Sequence, residues 1–179
     1  MLGVKAGDSV ALISETRPGG RDSDYALALI GAVNIPVYPT LTPPLIEFIL
    51  KDCGATVALV SSGAQYEKLR AIRANLPALK SVICFDPVSA LGTGDGQLFD
   101  VINRGLKAGA AGEKVVREAA ARVKPEDLAS LVYTSGPTGQ PKGLLLTPDT
   151  FQHNPTRTPP IIPPGPNDSA SSPLAPSPA

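Results

Sequence analysis

Apolar residues occur along this chain in short runs, separated by longer stretches with a helical period. Ser9-Val10-Ala11-Leu12-Ile13 follows the turn Ala6-Gly7-Asp8 and reads as a buried strand. The pattern then predicts a loop over 14–20 with Pro18-Gly19-Gly20 as breakers, and a helix capped by Asp22 or Ser23. Tyr25, Ala26, Leu29, Ile30 and Val33 would form its apolar face. Ile35-Pro36-Val37-Tyr38 reads as the next strand. A second helix has well-marked bounds, with Thr42 as N-cap, Pro43 at the first helical position and Gly54 as terminator. Between those bounds Leu45, Ile46, Ile49, Leu50 and Cys53 mark the buried side.

The alternation continues. Strands are expected over 56–60 and 81–85, with a helix over about 64–75 between them that Pro77 stops. After a glycine-containing loop over 86–96, helical patterns run from Leu98 to Lys107 and from Glu113 to Val123. The second of these places Val115, Val116, Ala119, Ala120 and Val123 on one side. Leu128 to Tyr133 and Gly143 to Leu146 read as two more strands. Strands alternating with helices at this spacing predict an α/β fold with a largely parallel sheet flanked by helices.

Composition narrows the picture. A chain of 179 residues that is 42% hydrophobic suits one globular domain with a sizeable core. Sixteen basic residues balance sixteen acidic ones and no basic block occurs, which disfavours nucleic acid as a partner. Cys53 and Cys84 lie far apart and the chain has one histidine, so the usual zinc spacings are missing and both thiols read as reduced core residues. His153 has no acid or nucleophile fixed beside it and reads as solvated. Without a leader-like or membrane-spanning apolar run, the chain is expected to be soluble and cytoplasmic, with no transmembrane segment. From Pro155 onward Pro, Ser, Ala and Thr dominate, so a domain over 1–150 is expected to be followed by a disordered Pro/Ser-rich tail over 151–179. The PxxP spellings of that tail, such as Pro160-Ile161-Ile162-Pro163, suit a reader of proline motifs, although such composition generates them by chance.

Candidate chemistry concentrates in Tyr133-Thr134-Ser135-Gly136-Pro137-Thr138-Gly139-Gln140-Pro141-Lys142-Gly143. Hydroxyls at Thr134, Ser135 and Thr138 can donate to phosphate oxygens, and Lys142 supplies positive charge. Glycines at Gly136, Gly139 and Gly143 let backbone N–H groups approach an anion. A Walker-type loop does not fit, because Pro141 stands where its second glycine belongs and Gly143 where its magnesium-binding hydroxyl belongs. The Gly92-Thr93-Gly94-Asp95-Gly96 stretch is not a dinucleotide fingerprint either, since the third glycine would fall at Gln97.

The stretch resembles the Y-T-S-G-T-T-G-x-P-K-G signature of the AMP-forming adenylate synthetase superfamily (the AMP-binding enzymes), departing from it only at Pro137. Upstream, Gly7-Asp8-Ser9-Val10-Ala11-Leu12-Ile13-Ser14 and the following Arg17-Pro18 are similar to the passage that opens this domain in many members. Gly31-Ala32-Val33-Asn34-Ile35-Pro36-Val37-Tyr38-Pro39-Thr40 resembles a passage of the long-chain fatty acyl-CoA synthetases. The resemblance implies an ATP-dependent fatty acyl-CoA ligase: a fatty carboxylate attacks the α-phosphorus of ATP, pyrophosphate leaves, and the thiol of coenzyme A then displaces AMP. It implies ATP, Mg²⁺ and coenzyme A as cofactors. It also implies that Thr134, Ser135, Gly136, Thr138, Gly139, Lys142 and Gly143 hold the β- and γ-phosphates.

Two positions depart from the family pattern. Pro137 removes a hydroxyl and a backbone N–H from the loop, and Pro148 replaces the histidine of the family's L-T-H. The family's later motifs, for adenine, ribose and the metal, are not found, nor is its mobile C-terminal domain. The expectation is therefore an N-terminal fragment of such a ligase, inactive alone, with no catalytic or metal-ligating residue named. The alternative is a non-catalytic nucleotide- or partner-binding module that uses the proline tail for contacts.

Overall fold

The computed structural model describes residues 2–135 and 141–150, with the side chain of Ser135 left aside. Among these residues seven strands form one sheet: β1 (Ser9–Ile13), β2 (Val33–Val37), β3 (Val57–Val60), β4 (Ser81–Cys84), β5 (Gly96–Gln97), β6 (Ser130–Ser135) and β7 (Pro141–Leu146). Their order is β5-β4-β3-β1-β2-β6-β7. Every neighbouring pair is parallel except β6 and β7, which run antiparallel at one edge. The α/β class and the largely parallel sheet follow the sequence expectation. The tail expected over 151–179 lies outside the described residues.

Among the described residues four α-helices flank the sheet: α1 (Pro18–Leu29), α2 (Pro43–Asp52), α3 (Gly63–Ile72) and α4 (Leu98–Ala120). A short 3-10 turn, Arg73–Asn75, extends α3. α2 and α3 cover one face, where Ile46, Ile49, Tyr66 and Leu69 pack on Ala11, Ile13, Ile35 and Val82. α1 and the start of α4 cover the other, where Leu27 and Leu98 pack with Val10, Leu12, Leu59 and Ile83. The central strands thus bury both faces, which is why their sequences read as unbroken apolar runs.

α1 differs from its sequence expectation in two ways. It begins at Pro18, with Arg17 as N-cap, rather than after Asp22. Proline is pre-organised for the first helical position, where its missing N–H costs nothing. The two glycines are there for closeness: a Cβ on Gly19 would sit 3.3 Å from the Phe85 ring, and one on Gly20 would sit 3.2 Å from Ser14 Oγ. Its buried side is also rotated, formed by Gly20, Ser23 and Leu27, while Tyr25 (64%) and Leu29 (50%) are exposed. Burial of Ser23 is affordable because its hydroxyl donates to Gly19 O at 2.7 Å. Val33, expected on this helix, opens β2 instead.

Elsewhere the expectations hold more closely. α2 runs from Pro43 to Asp52 behind Thr42, and Gly54 adopts φ +63° just past its end. α4 takes in the first expected helical stretch and the second only as far as Ala120, short of Val123, with a break at Gly109 (φ 51°, ψ −139°). Its second half does not bury the expected face, since Val115 and Val116 remain exposed. β5 pairs with β4 where only a loop was expected. Asp95, just before it, accepts from Tyr66 Oη at 2.8 Å and from the Val82 N–H at 2.8 Å, with Arg73 at 3.4 Å. A helical turn also begins at Pro148, over the last described residues 148–150.

Candidate functional site

β1 lies at the centre of the sheet, and the chain moves from it to β2 on one side before crossing back to β3 on the other. The connections leaving β1 and β2 therefore pass over opposite faces, as α1 and α2. Such a switch point leaves a crevice at the carboxyl ends of the strands, the usual ligand position in open α/β sheets. A cleft of about 400 Å³ opens there. Its walls include Leu12 and Ser14 of β1 and the loop after it, Asn34 and Pro36 of β2, Val132 of β6, and Arg21 and Asp24 of α1.

The signature straddles the next two strands. β6 ends at Ser135 and β7 begins at Pro141, with Thr134 opposite Lys142 and Tyr133 opposite Gly143. Both expected strands are thus present, but they extend to Ser135 and back to Pro141, so Thr134, Ser135 and Lys142 belong to the strands rather than to the segment joining them. Gly136, Thr138 and Gly139, together with Pro137, lie outside the described residues. Thr134 and Lys142 are exposed and paired across the hairpin, on the face of β6 that carries Val132. Asn34 lies opposite Ser130, and two further steps bring Pro36 beside Val132, so hydroxyl, ammonium and cleft share one face and one end of the sheet. Lys142 makes no ion pair among the described residues, which leaves its charge available to an anion. Gly143 has a packing reason as well: a Cβ there would meet Leu131 Cδ1 at 2.8 Å.

Tyr133 anchors this hairpin from the opposite face. It is buried, and its hydroxyl donates to Asp52 Oδ2 at 2.5 Å, at the end of α2. Burial, then the bond to the Asp52 carboxylate, pushes the phenol pKa well up. Ser130 fixes the start of β6, donating from Oγ to Asn34 O at 2.9 Å.

A second set of polar groups ties the strand ends together. Arg17 donates to Asp86 Oδ1 at 2.8 Å and Oδ2 at 3.2 Å, and to Ser61 O at 3.0 Å. Its guanidinium also lies over the Phe85 ring, 5.9 Å from the centroid. This fork joins the loops after β1, β3 and β4. Beside it, burial raises the Glu15 pKa, but the nearby Ser61 side chain, the backbone, Gln65 and the Arg17 charge outweigh it and hold the carboxyl below its ordinary value. Both cysteines are free thiols with pKa values raised by burial, in keeping with core roles. Asp52, Asn34, Asp24 and Asp86 were not singled out in the sequence, where each is an ordinary polar residue. Only their long-range partners give them a place here.

Known proteins extend this picture. The AMP-binding enzyme family matches residues 1–166, past Thr150 and into the proline-rich stretch. Long-chain-fatty-acid--CoA ligase FadD15 of Mycobacterium bovis is 34% identical over 152 residues, 85% of this chain and 24% of the relative. The ligase ACSBG1 of Rattus norvegicus is 30% identical over 84% of this chain and 20% of its own length. The chain thus spans about a quarter of the length of such relatives. Among solved structures, the inhibitor-bound N-terminal domain of FACL13 from Mycobacterium tuberculosis superposes with a TM-score of 0.60 at 26% identity, over 84% of this chain and 34% of that one. The anthranilate CoA ligase AuaEII in complex with anthranoyl-AMP superposes with a TM-score of 0.57 at 26% identity, over 82% and 25%. On the match that spans most of its length, this chain belongs to the AMP-binding enzyme family.

Proposed function

We propose that the chain is the N-terminal part of an AMP-forming fatty acyl-CoA ligase, and that its β6–β7 hairpin holds the β- and γ-phosphates of ATP. The observation that carries this reading is the pairing of Thr134 with an exposed Lys142 at the carboxyl ends of the parallel strands. Kinship with long-chain fatty acyl-CoA ligases supports the substrate class. In the reaction, a carboxylate oxygen attacks the α-phosphorus, pyrophosphate leaves, and the thiol sulfur of coenzyme A attacks the acyl carbon as AMP leaves. The groups of this chain act before and during the first step. Lys142 offsets charge on the leaving pyrophosphate, the Thr134 and Ser135 hydroxyls donate to its oxygens, and the Thr138 hydroxyl does the same from the loop. Gly136, Gly139 and Gly143 let backbone N–H groups approach, and the buried Tyr133 holds the hairpin in register.

Mg²⁺ would enter as the counter-ion of ATP. Among the described residues no three His, Cys, Asp or Glu side chains gather to hold a metal ion. Coenzyme A is assigned to the second step by family kinship alone.

The 1–150 region is the binding unit, and 151–179 a proline-rich extension, in a protein of the cytoplasm; the two free cysteines favour a reducing compartment. Alone, the chain is inactive and holds ATP weakly, since Pro137 removes one N–H and one hydroxyl from the loop. Each phosphate hydrogen bond lost in this way costs roughly 1.5–3 kcal/mol. Calorimetric titration of the 179-residue chain with MgATP tests the assignment. Binding that weakens at least about tenfold in Lys142→Ala supports it, whereas equal affinity in both proteins removes the hairpin from nucleotide binding. Pyrophosphate release with ATP, palmitate and coenzyme A would overturn the statement that the chain is inactive alone.

A further inference from the structure

The ladder that joins the β6–β7 hairpin to the rest of the sheet is cut short by one residue. Along β2, alternate N–H groups serve the two neighbouring strands: Val33 N–H goes to Asp8 O at 2.9 Å, on the β1 side, and Asn34 N–H to Ala129 O at 3.0 Å, on the β6 side. The next N–H owed to β6 would be that of residue 36, a proline, which has none. Accordingly β2 and β6 share a single registered pair, Asn34 and Ser130, whereas β6 and β7 are paired at every position from Ser130 to Ser135. Thr134 and its partner Lys142 thus stand past that pair, on a hairpin well knit to itself and loosely knit to β2. Past Ser130, the side-chain hydrogen bond that ties the described part of β6 to the body runs from Tyr133 Oη to Asp52 Oδ2.

Asp52 is badly placed for its own helix and well placed for this bond. It is the last residue of α2, where a carboxylate meets the negative end of the helix dipole. α2 itself is firmly seated, since Ile46, Ile49 and Leu50 are no more than 2% exposed in the core shared with α3. Tyr133 has its ring in that same core, and Thr134, the next residue, lies on the opposite face of the strand. The phenol remains the donor, because burial first and then the bond to Asp52 raise its pKa.

We infer that Asp52 is a positioning residue for the hairpin: through Tyr133 it sets where Thr134 and Lys142 stand relative to the sheet, a task that the β2–β6 ladder cannot perform past Pro36. Its effect on ATP rests on the nucleotide reading of the hairpin, whereas the tether itself does not.

The test compares the full 179-residue chain with Asp52→Ala, Asp52→Asn and Lys142→Ala in two measurements. Hydrogen exchange without nucleotide reads the tether. In Asp52→Ala the Leu131 and Tyr133 amides, which alternate toward β2, should exchange about tenfold faster while Val57–Val60 amides keep their rates, a contrast that a general loss of stability would not produce. Asp52→Asn keeps an acceptor for the phenol and should retain most of the protection. Calorimetry with MgATP reads the positioning: affinity should fall about tenfold in Asp52→Ala and stay near the parent value in Asp52→Asn. Adding Tyr133→Phe to Asp52→Ala should weaken it no further, because both remove the same bond. Exchange that is unchanged at Leu131 and Tyr133, or that rises equally at Val57–Val60, overturns the tether whatever ATP does. Faster hairpin exchange with parent-like ATP affinity in Asp52→Ala, beside weakened affinity in Lys142→Ala, overturns the positioning role and leaves the nucleotide reading intact. Parent-like affinity in Lys142→Ala overturns the nucleotide reading and the positioning role with it.

Discussion

The residues that hold the hairpin in place are easier to test singly than those that would touch phosphate. Tyr133→Phe removes only the hydroxyl donated to Asp52, whose carboxylate lies at an exposed helix end where water can replace it. Its stability should therefore fall by about 1 kcal/mol in urea unfolding. The paired effect on ATP affinity would show whether the tether positions Thr134 and Lys142. Pro137→Thr should restore a donor and strengthen MgATP binding by about one decade in calorimetry; an unchanged affinity would remove Pro137 as the cause of weak binding. Glu15 gives a pH signature. Its folded pKa lies below the ordinary 4.5, so its stabilising contribution is complete above that value and is lost as pH falls through the lowered pKa. The melting temperature of the parent chain should exceed that of Glu15→Gln at neutral pH, and the gap should close on acidification below pH 4.5.

Among the elements, α4 shows how one backbone position divides a helix. Gly109 takes φ 51° and ψ −139°, a combination that side-chain-bearing residues reach only with strain. A Cβ there would touch nothing within 4 Å, so the strain of Gly109→Ala is purely conformational. Thermal unfolding should report a loss of roughly 1–3 kcal/mol, or a re-straightened helix whose second half leaves its present position. α1 illustrates the limit of reading elements from pattern. Its Pro18-Gly19-Gly20 looks like a break because the close approach of Phe85 and Ser14, which demands small residues, is a contact between distant stretches. The apolar run of β1, by contrast, is legible since both its faces are buried. β5, two residues long, is too short to carry any period.

For the whole molecule, class and signature could be read from the chain, but strand order could not. Which strand lies beside β1 depends on helix packing over both faces, and so the cleft formed by β1, β2, β6 and α1 was invisible as a unit. Asn34 lies within a family-like passage, yet its place in the cleft comes from Asp24 on α1 and Ser130 on β6. The hairpin was legible for the opposite reason, since its two strands are neighbours in sequence and need only a tight connection.

That antiparallel edge has a consequence for the order of folding. β1 to β4 and their helices lie within the first 84 residues, and their core can condense on its own parallel pairings. β6 joins this body by pairing with β2, across a separation of 96 residues between Ser130 and Asn34, and by the Tyr133 bond to Asp52 at the end of α2. Closing so long a loop makes its docking the late and weakly held step. The β6–β7 hairpin is thus the last part to assemble and the first to open. Hydrogen exchange should show β6–β7 amides opening by sub-global fluctuations while Val57–Val60 amides exchange only on global unfolding. On a ribosome, the amino-terminal body would form before the signature had left the exit tunnel, so nucleotide cannot guide its folding.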